Sequence, residues 1–115
     1  MTDIISLIHK STEFGHLFES VSTGKHNLSI QASKNHICWP REDGLKPYQY
    51  DAFEVMVYGR LRAKTYRVMN SFHVDTDLDG HMLTNLSKHA LQVLYDHLCE
   101  VDQNDIQARR EKGPD

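Results

Sequence analysis

The sequence predicts an α+β domain, a three- to four-stranded antiparallel sheet flanked on one face by an N-terminal and a C-terminal helix. Three observations carry this. Apolar residues recur at helical spacing near both ends of the chain. Between them, runs at 27–33, 52–59 and 66–74 place apolar residues at period two, as a half-buried strand does. Strands in adjacent runs with helices outside them imply an antiparallel sheet covered on one side. At 115 residues, one domain is expected. It is assigned to 1–102, with 103–115 as a charged tail that frays.

The first helix is expected over 2–23. Thr2 or Asp3 caps it, and Ile4, Leu7, Phe14, Phe18 and Val21 share one face. Ser11 interrupts this stripe and Gly15 weakens the helix, which marks Ser11-Thr12 as the place for a break; Gly24 is the stop signal. In the first strand Leu28, Ile30 and Ala32 face one way. His36-Ile37-Cys38-Trp39 reads as a second short strand that Pro40 ends, and 40–49 as a loop. Phe53, Val55 and Val57 define the next strand, which a basic turn at 60–65 joins to the strand at 66–74 as a hairpin. A helix over 61–72 competes, because Leu61, Thr65, Val68 and Phe72 also share a helical face. The last helix is expected from His81 to Val101, with Leu83, Leu86, Ala90, Val93, Leu94, Leu98 and Val101 in one arc and His97 inside it. Asp77 or Asp79 serves as its cap.

Composition excludes several classes of function. The net charge of −3 is too mild to imply nucleic-acid binding. Cys38 and Cys99 are two thiols in 115 residues, not a disulfide framework. Met1-Thr2-Asp3 has no basic character, and the apolar run at 4–8 is too short for a signal core, so a cytoplasmic protein with no membrane contact is expected. There is no G-x-S-x-G, no P-loop and no glycine-rich cofactor turn. His36 and Cys38, two apart on one strand face, form a conceivable imidazole–thiolate pair, but the Trp-Pro neighbour favours a packed position.

The chain is histidine-rich, with eight histidines. Potential metal ligands crowd at His73, Asp75, Asp77, Asp79 and His81. Asp75-x-Asp77-x-Asp79-Gly80 resembles the first half of an EF-hand or dockerin loop, where alternate carboxylates converge on a hard cation and glycine permits the turn. The resemblance stops after six residues, because the twelfth position, which calcium needs as a bidentate Glu, is Leu86. No cofactor is therefore expected, with a divalent transition metal at His73, Asp75 and His81 as the alternative.

The leading expectation is a non-enzymatic protein that binds another macromolecule, most simply a protein. It would be an inhibitor, immunity or adaptor-type accessory factor of the sort carried on mobile elements; a homodimer is also compatible. Arg41, Tyr48 and Tyr50 in the long loop, with Arg60, Arg62 and Lys64 at the hairpin tip, are the expected contact residues, since aromatic side chains and arginine are enriched at interfaces. A metal-binding protein or metal-dependent enzyme centred on 73–81, and a nucleic-acid module using the basic hairpin at 60–67, are the alternatives.

Overall fold

A computed structural model of the chain describes residues 2–11, 17–59, 75–77 and 80–112. It contains helix α1 (Ile4–Leu7), strands β1 (Val21–Ser22), β2 (His26–Gln31), β3 (Ala52–Gly59), β4 (Asp75–Asp77) and β5 (Gly80–Ser87), and helix α2 (Lys88–Lys112). The strands form one antiparallel sheet in the order β1-β2-β3-β5-β4. The expected α+β architecture is present. β2, β3 and β5 carry most of the ladder, because β1 has two residues and β4 three.

The period-two runs at 27–33 and 52–59 form strands β2 and β3. Leu28 and Ile30 of β2 and Phe53, Val55 and Val57 of β3 are all buried against Leu91, Leu94 and Leu98 of α2 and Ile4 of α1. Residues 60–74 lie outside the described residues, and with them the expected basic turn, the strand at 66–74 and its competing helix.

Two expected helices are corrected. The first covers four residues, not 2–23. Asp3 caps it, accepting from the Ile5 N–H at 3.0 Å, and Ile8 is already extended. Beyond it the chain pairs with itself: Glu19 N–H donates to His9 O and Ser11 N–H to Leu17 O, both at 2.8 Å. Two distant amides hold this path. Gln92 on α2 accepts from the Ile4 N–H at 2.8 Å and donates to Thr2 O at 2.9 Å. Gln31 accepts from Phe18 N–H and donates to Phe18 O, both at 2.9 Å, as a neighbouring strand would. Phe18 and Val21 are buried as the stripe implied, but from extended backbone.

The second correction moves the start of the last helix from His81 to Lys88, because 80–87 is strand β5. Val55 pairs with Leu83 and Phe53 with Leu86, so a step of two on β3 meets a step of three on β5. The extra residue makes a β-bulge, with Asn85 at φ 49°, the left-handed conformation that Asn tolerates. The bulge brings Leu83 and Leu86 to the core at the spacing of a helical turn, which is why the sequence mimics a helix there. The cap is Ser87, whose Oγ accepts from the Ala90 N–H at 3.1 Å, not Asp77 or Asp79. Without the two β5 leucines, the buried stripe of α2 is Leu91, Leu94 and Leu98, continued by Asp102. His97 lies roughly 100° from that stripe at 3.6 residues per turn, and it is exposed rather than inside the apolar arc. The helix also runs past Val101, through Lys112.

Candidate functional site

The segment 33–51 leaves β2 and returns to β3 in a path fixed by its own hydrogen bonds. Ser33 is the knot. Its hydroxyl meets His36 Nδ1 at 2.7 Å and accepts from the Asn35 N–H at 3.1 Å, and its carbonyl accepts from the Cys38 thiol at 3.2 Å. His36 and Cys38 thus each bond Ser33, and Cys38 is buried. Tyr50 lies beneath the loop at 1% exposure, tilted against the Phe53 ring at 5.9 Å, and its hydroxyl donates to Glu42 O at 2.5 Å. Burial pushes its phenol above the usual range. Tyr50 is therefore a strut of the loop, not the surface contact that the sequence implied.

What the loop leaves outside is Trp39, 63% exposed, and Tyr48, 61% exposed. The indole is displayed from a pinned backbone. Trp39 N–H donates to Ala52 O at 3.1 Å, and Trp39 O accepts from the Asp51 N–H at 2.7 Å. Asp51 O in turn accepts from the Lys88 N–H at 3.2 Å, and Lys88 Nζ donates to Tyr48 O at 3.2 Å. This chain of bonds gathers Trp39 and Tyr48 where β3 and α2 begin. Arg41 is also exposed, and the Trp39–Pro40 peptide is cis. Ile37 stands 38% exposed above the bulge, its carbonyl accepting from the Asn85 N–H at 3.0 Å. Sequence reasoning named Arg41 and Tyr48 as contact residues and left Trp39 out, reading it as the end of a short strand. The available signal was its position against Pro40 at the mouth of a loop, where a strand has ended.

Beside this surface opens a cleft of about 370 Å³. Phe18, Ala32, Leu45 and Tyr50 give it an apolar lining, and Lys10, Ser33, Asn35 and Asp43 supply its polar groups.

At the opposite end of the sheet lies a buried carboxylate. Asp102 accepts from Thr23 Oγ1 at 2.5 Å, from the N–H groups of Lys25 and His26 at 2.9 and 3.2 Å, and from His26 Nδ1 at 2.9 Å. Burial alone would raise its carboxyl, but these donors outweigh it and hold the group below the usual carboxylate range. An ionised carboxylate only accepts, so Nδ1 carries the proton. Gly24, at φ 121°, lets the β1–β2 turn come this close, since a Cβ there would meet Asp102 Cβ at 3.2 Å. Lys25 adds an ion pair to Asp105 on the next turn of α2. His26 is 2% exposed, and its Nε2 is buried without a hydrogen-bond partner among the described residues. The Asp–His arrangement is that of a general base, but it is closed to solvent and functions as a clamp between α2 and the β1–β2 turn. Residues 76 positions apart in sequence form it, so no local pattern announces it.

Of the metal candidates, His73 and Asp79 lie outside the described residues, as do Arg60, Arg62 and Lys64 of the hairpin tip. Asp75, Asp77 and His81 are placed by backbone alone. Asp75 pairs with Met82, Asp77 with Gly80, and Thr76 with His81. Residues 75–77 are thus extended and antiparallel to 80–82. Among the described residues, no group of three or more His, Cys, Asp or Glu could hold a metal ion, and no helix is long and apolar enough to cross a membrane. Comparison with protein-family models, with curated proteins and with solved structures finds no match.

Proposed function

We propose that this chain is a non-enzymatic cytoplasmic protein that acts by binding another protein through the surface of Ile37, Trp39, Arg41 and Tyr48. The observation that carries this reading is the 63% exposure of Trp39 on backbone bonded at both its N–H and its carbonyl. Trp is highly buried on average, and Trp, Tyr and Arg are enriched among the few residues that carry most of the binding energy at protein interfaces. The ordering of the loop strengthens the argument. Tyr50, Ser33 and Lys88 already hold it in place, so a partner meets a preformed surface and loses little entropy in ordering it. An inhibitor, immunity or adaptor role fits a surface of this kind.

The test is capture of a partner from cell lysate by the tagged chain, compared with Trp39→Ala and Tyr48→Ala chains of unchanged thermal midpoint. The proposal expects a specific partner retained by the parent chain and lost, or weakened at least tenfold, in the Trp39→Ala chain. Equal capture by all three would overturn it. Light scattering of the same proteins separates a foreign partner from a homodimer, which Trp39→Ala would then dissociate.

A further inference from the structure

The cleft beside the loop has a polarity that defines its ligand. Its volume of about 370 Å³ falls at the small end of the range for ligand sites. Its two internal hydroxyls are already committed, Tyr50 to Glu42 O and Ser33 to His36 and the Asn35 N–H. They present a ring and a satisfied oxygen beside Phe18, Ala32 and Leu45, so the body of an occupant must be apolar.

The rim is different. Asp43 accepts from the Lys34 N–H at 3.0 Å and lies 4.0 Å from Lys34 Nζ, so these two charges offset each other. Lys10, which also lines the cleft, has no ion-pair partner among the described residues. The backbone pairing of Lys10 with Phe18 sets Lys10 beside the apolar lining of the cleft. An ammonium with no ion-pair partner among the described residues, with the neutral Asn35 amide also lining the cleft, matches one negative charge. A phosphate dianion would be left half-neutralised by the single Lys10 ammonium.

We propose that this cleft binds a carboxylate carried on a small apolar body, with Lys10 holding the carboxylate and the Phe18, Leu45 and Tyr50 wall holding the body. Such a group comes from a free aromatic or branched-chain acid, or from the C-terminus of a peptide that ends in an apolar residue. The site is separate from the Trp39 surface and stands or falls without it.

The experiment is an amide NMR titration with phenylacetate. It expects saturable shifts at Ala32, Gly44 and Leu45, and at least fivefold weaker binding of 2-phenylethanol and of benzylamine. Lys10→Gln, a change at an exposed position, should weaken phenylacetate at least fivefold and leave 2-phenylethanol unchanged. Trp39→Ala should alter neither. An acetylated tripeptide ending in phenylalanine distinguishes the sources: tighter binding than phenylacetate, lost on C-terminal amidation, assigns a chain end, whereas binding no tighter than phenylacetate assigns a free acid. Shifts that do not saturate, shifts away from the cleft, or a Lys10→Gln chain with undiminished affinity would each overturn the proposal.

Discussion

At the β1–β2 turn a carboxylate sits 1% exposed among four donors, and at the start of β3 an indole stands 63% exposed above a fully bonded backbone. Each place inverts the usual preference, with a charge inside and a large apolar ring outside. The first inversion is compensated within the molecule. Asp102 has lost water and regained it as hydrogen bonds from Thr23, Lys25 and His26, and a buried charge persists only on such terms. The second has no internal compensation among the described residues, where Trp39 stays 63% exposed. An inversion satisfied from within marks structure. One left open marks a surface whose counterpart is another molecule, and this asymmetry is the reason for locating function at the loop end of the sheet.

The comparison is broken most severely by removing the carboxylate. Asp102→Ala leaves the buried donors of His26 and Thr23 without their acceptor, and it should cost about 1–3 kcal/mol for each donor left unsatisfied. A urea-melt loss below about 1 kcal/mol would mean that the cluster is solvated in solution. Its pH dependence follows from the lowered carboxyl. A carboxylate whose folded pKa lies below its unfolded value contributes its full stability above the unfolded value, about 4. That contribution declines as pH falls from there to the folded pKa. The parent chain should therefore lose more stability between pH 6 and pH 3 than an Asp102→Asn chain. Parallel curves would exclude Asp102 as the source.

Next in size is Leu94→Ala, on the same helix but in the apolar row. Leu94 is wholly buried against the sheet, and its truncation should cost about 2–5 kcal/mol. Here the loss should be independent of pH between 6 and 3, relative to the parent, since no titrating group is touched. A pH-dependent difference would show that the apolar row and the Asp102 clamp act as one unit.

The parts that the sequence discloses and those that it hides divide along the same line. β3 is legible because Phe53, Val55 and Val57 stand at the strand period and all reach the core. Leu94 and Leu98 are legible because the helical period holds over several turns. What misleads is any feature whose partner is remote. The bulge at Asn85 turns a strand spacing into a helical one, and nothing local distinguishes Leu83 and Leu86 from the first turns of α2. Gln31 and Gln92 hold the N-terminal segment from 13 and 88 residues away, so a stripe that looks helpful to a helix is instead split into a single turn and an extended arm. At the loop, composition gives the right neighbourhood and the wrong aromatics. Tyr48 and Tyr50 are indistinguishable by type and position, and only the packing of Phe53 and the Glu42 carbonyl decides which of them is inside.

That pair sharpens the comparison at a smaller scale. Tyr50→Phe keeps the ring against Phe53 and removes only the hydroxyl that donates to Glu42 O. The expected cost is about 0.5–1.5 kcal/mol, that of one hydrogen bond. Tyr48→Phe, at an exposed position, should cost nothing measurable. Equal losses at the two positions would mean that Tyr48 is also held against the protein in solution.

The smallest expected effect on stability belongs to the residue with the largest expected effect on binding. Trp39 contributes to the fold through its N–H and its carbonyl, which bond Ala52 and Asp51 and survive any change of side chain. Its indole, exposed and outside the core cluster, buries little. Trp39→Ala should therefore shift stability by no more than about 0.5 kcal/mol, the range of ordinary surface positions. Tyr48→Ala should behave alike, because Lys88 bonds its carbonyl and not its ring. If Trp39→Ala instead costs 2 kcal/mol or more, the order of magnitude for a buried large apolar side chain, the indole is packed against the molecule itself. The open inversion would then be closed from within, like the one at Asp102, and the argument that the loop end faces a partner would lose its basis.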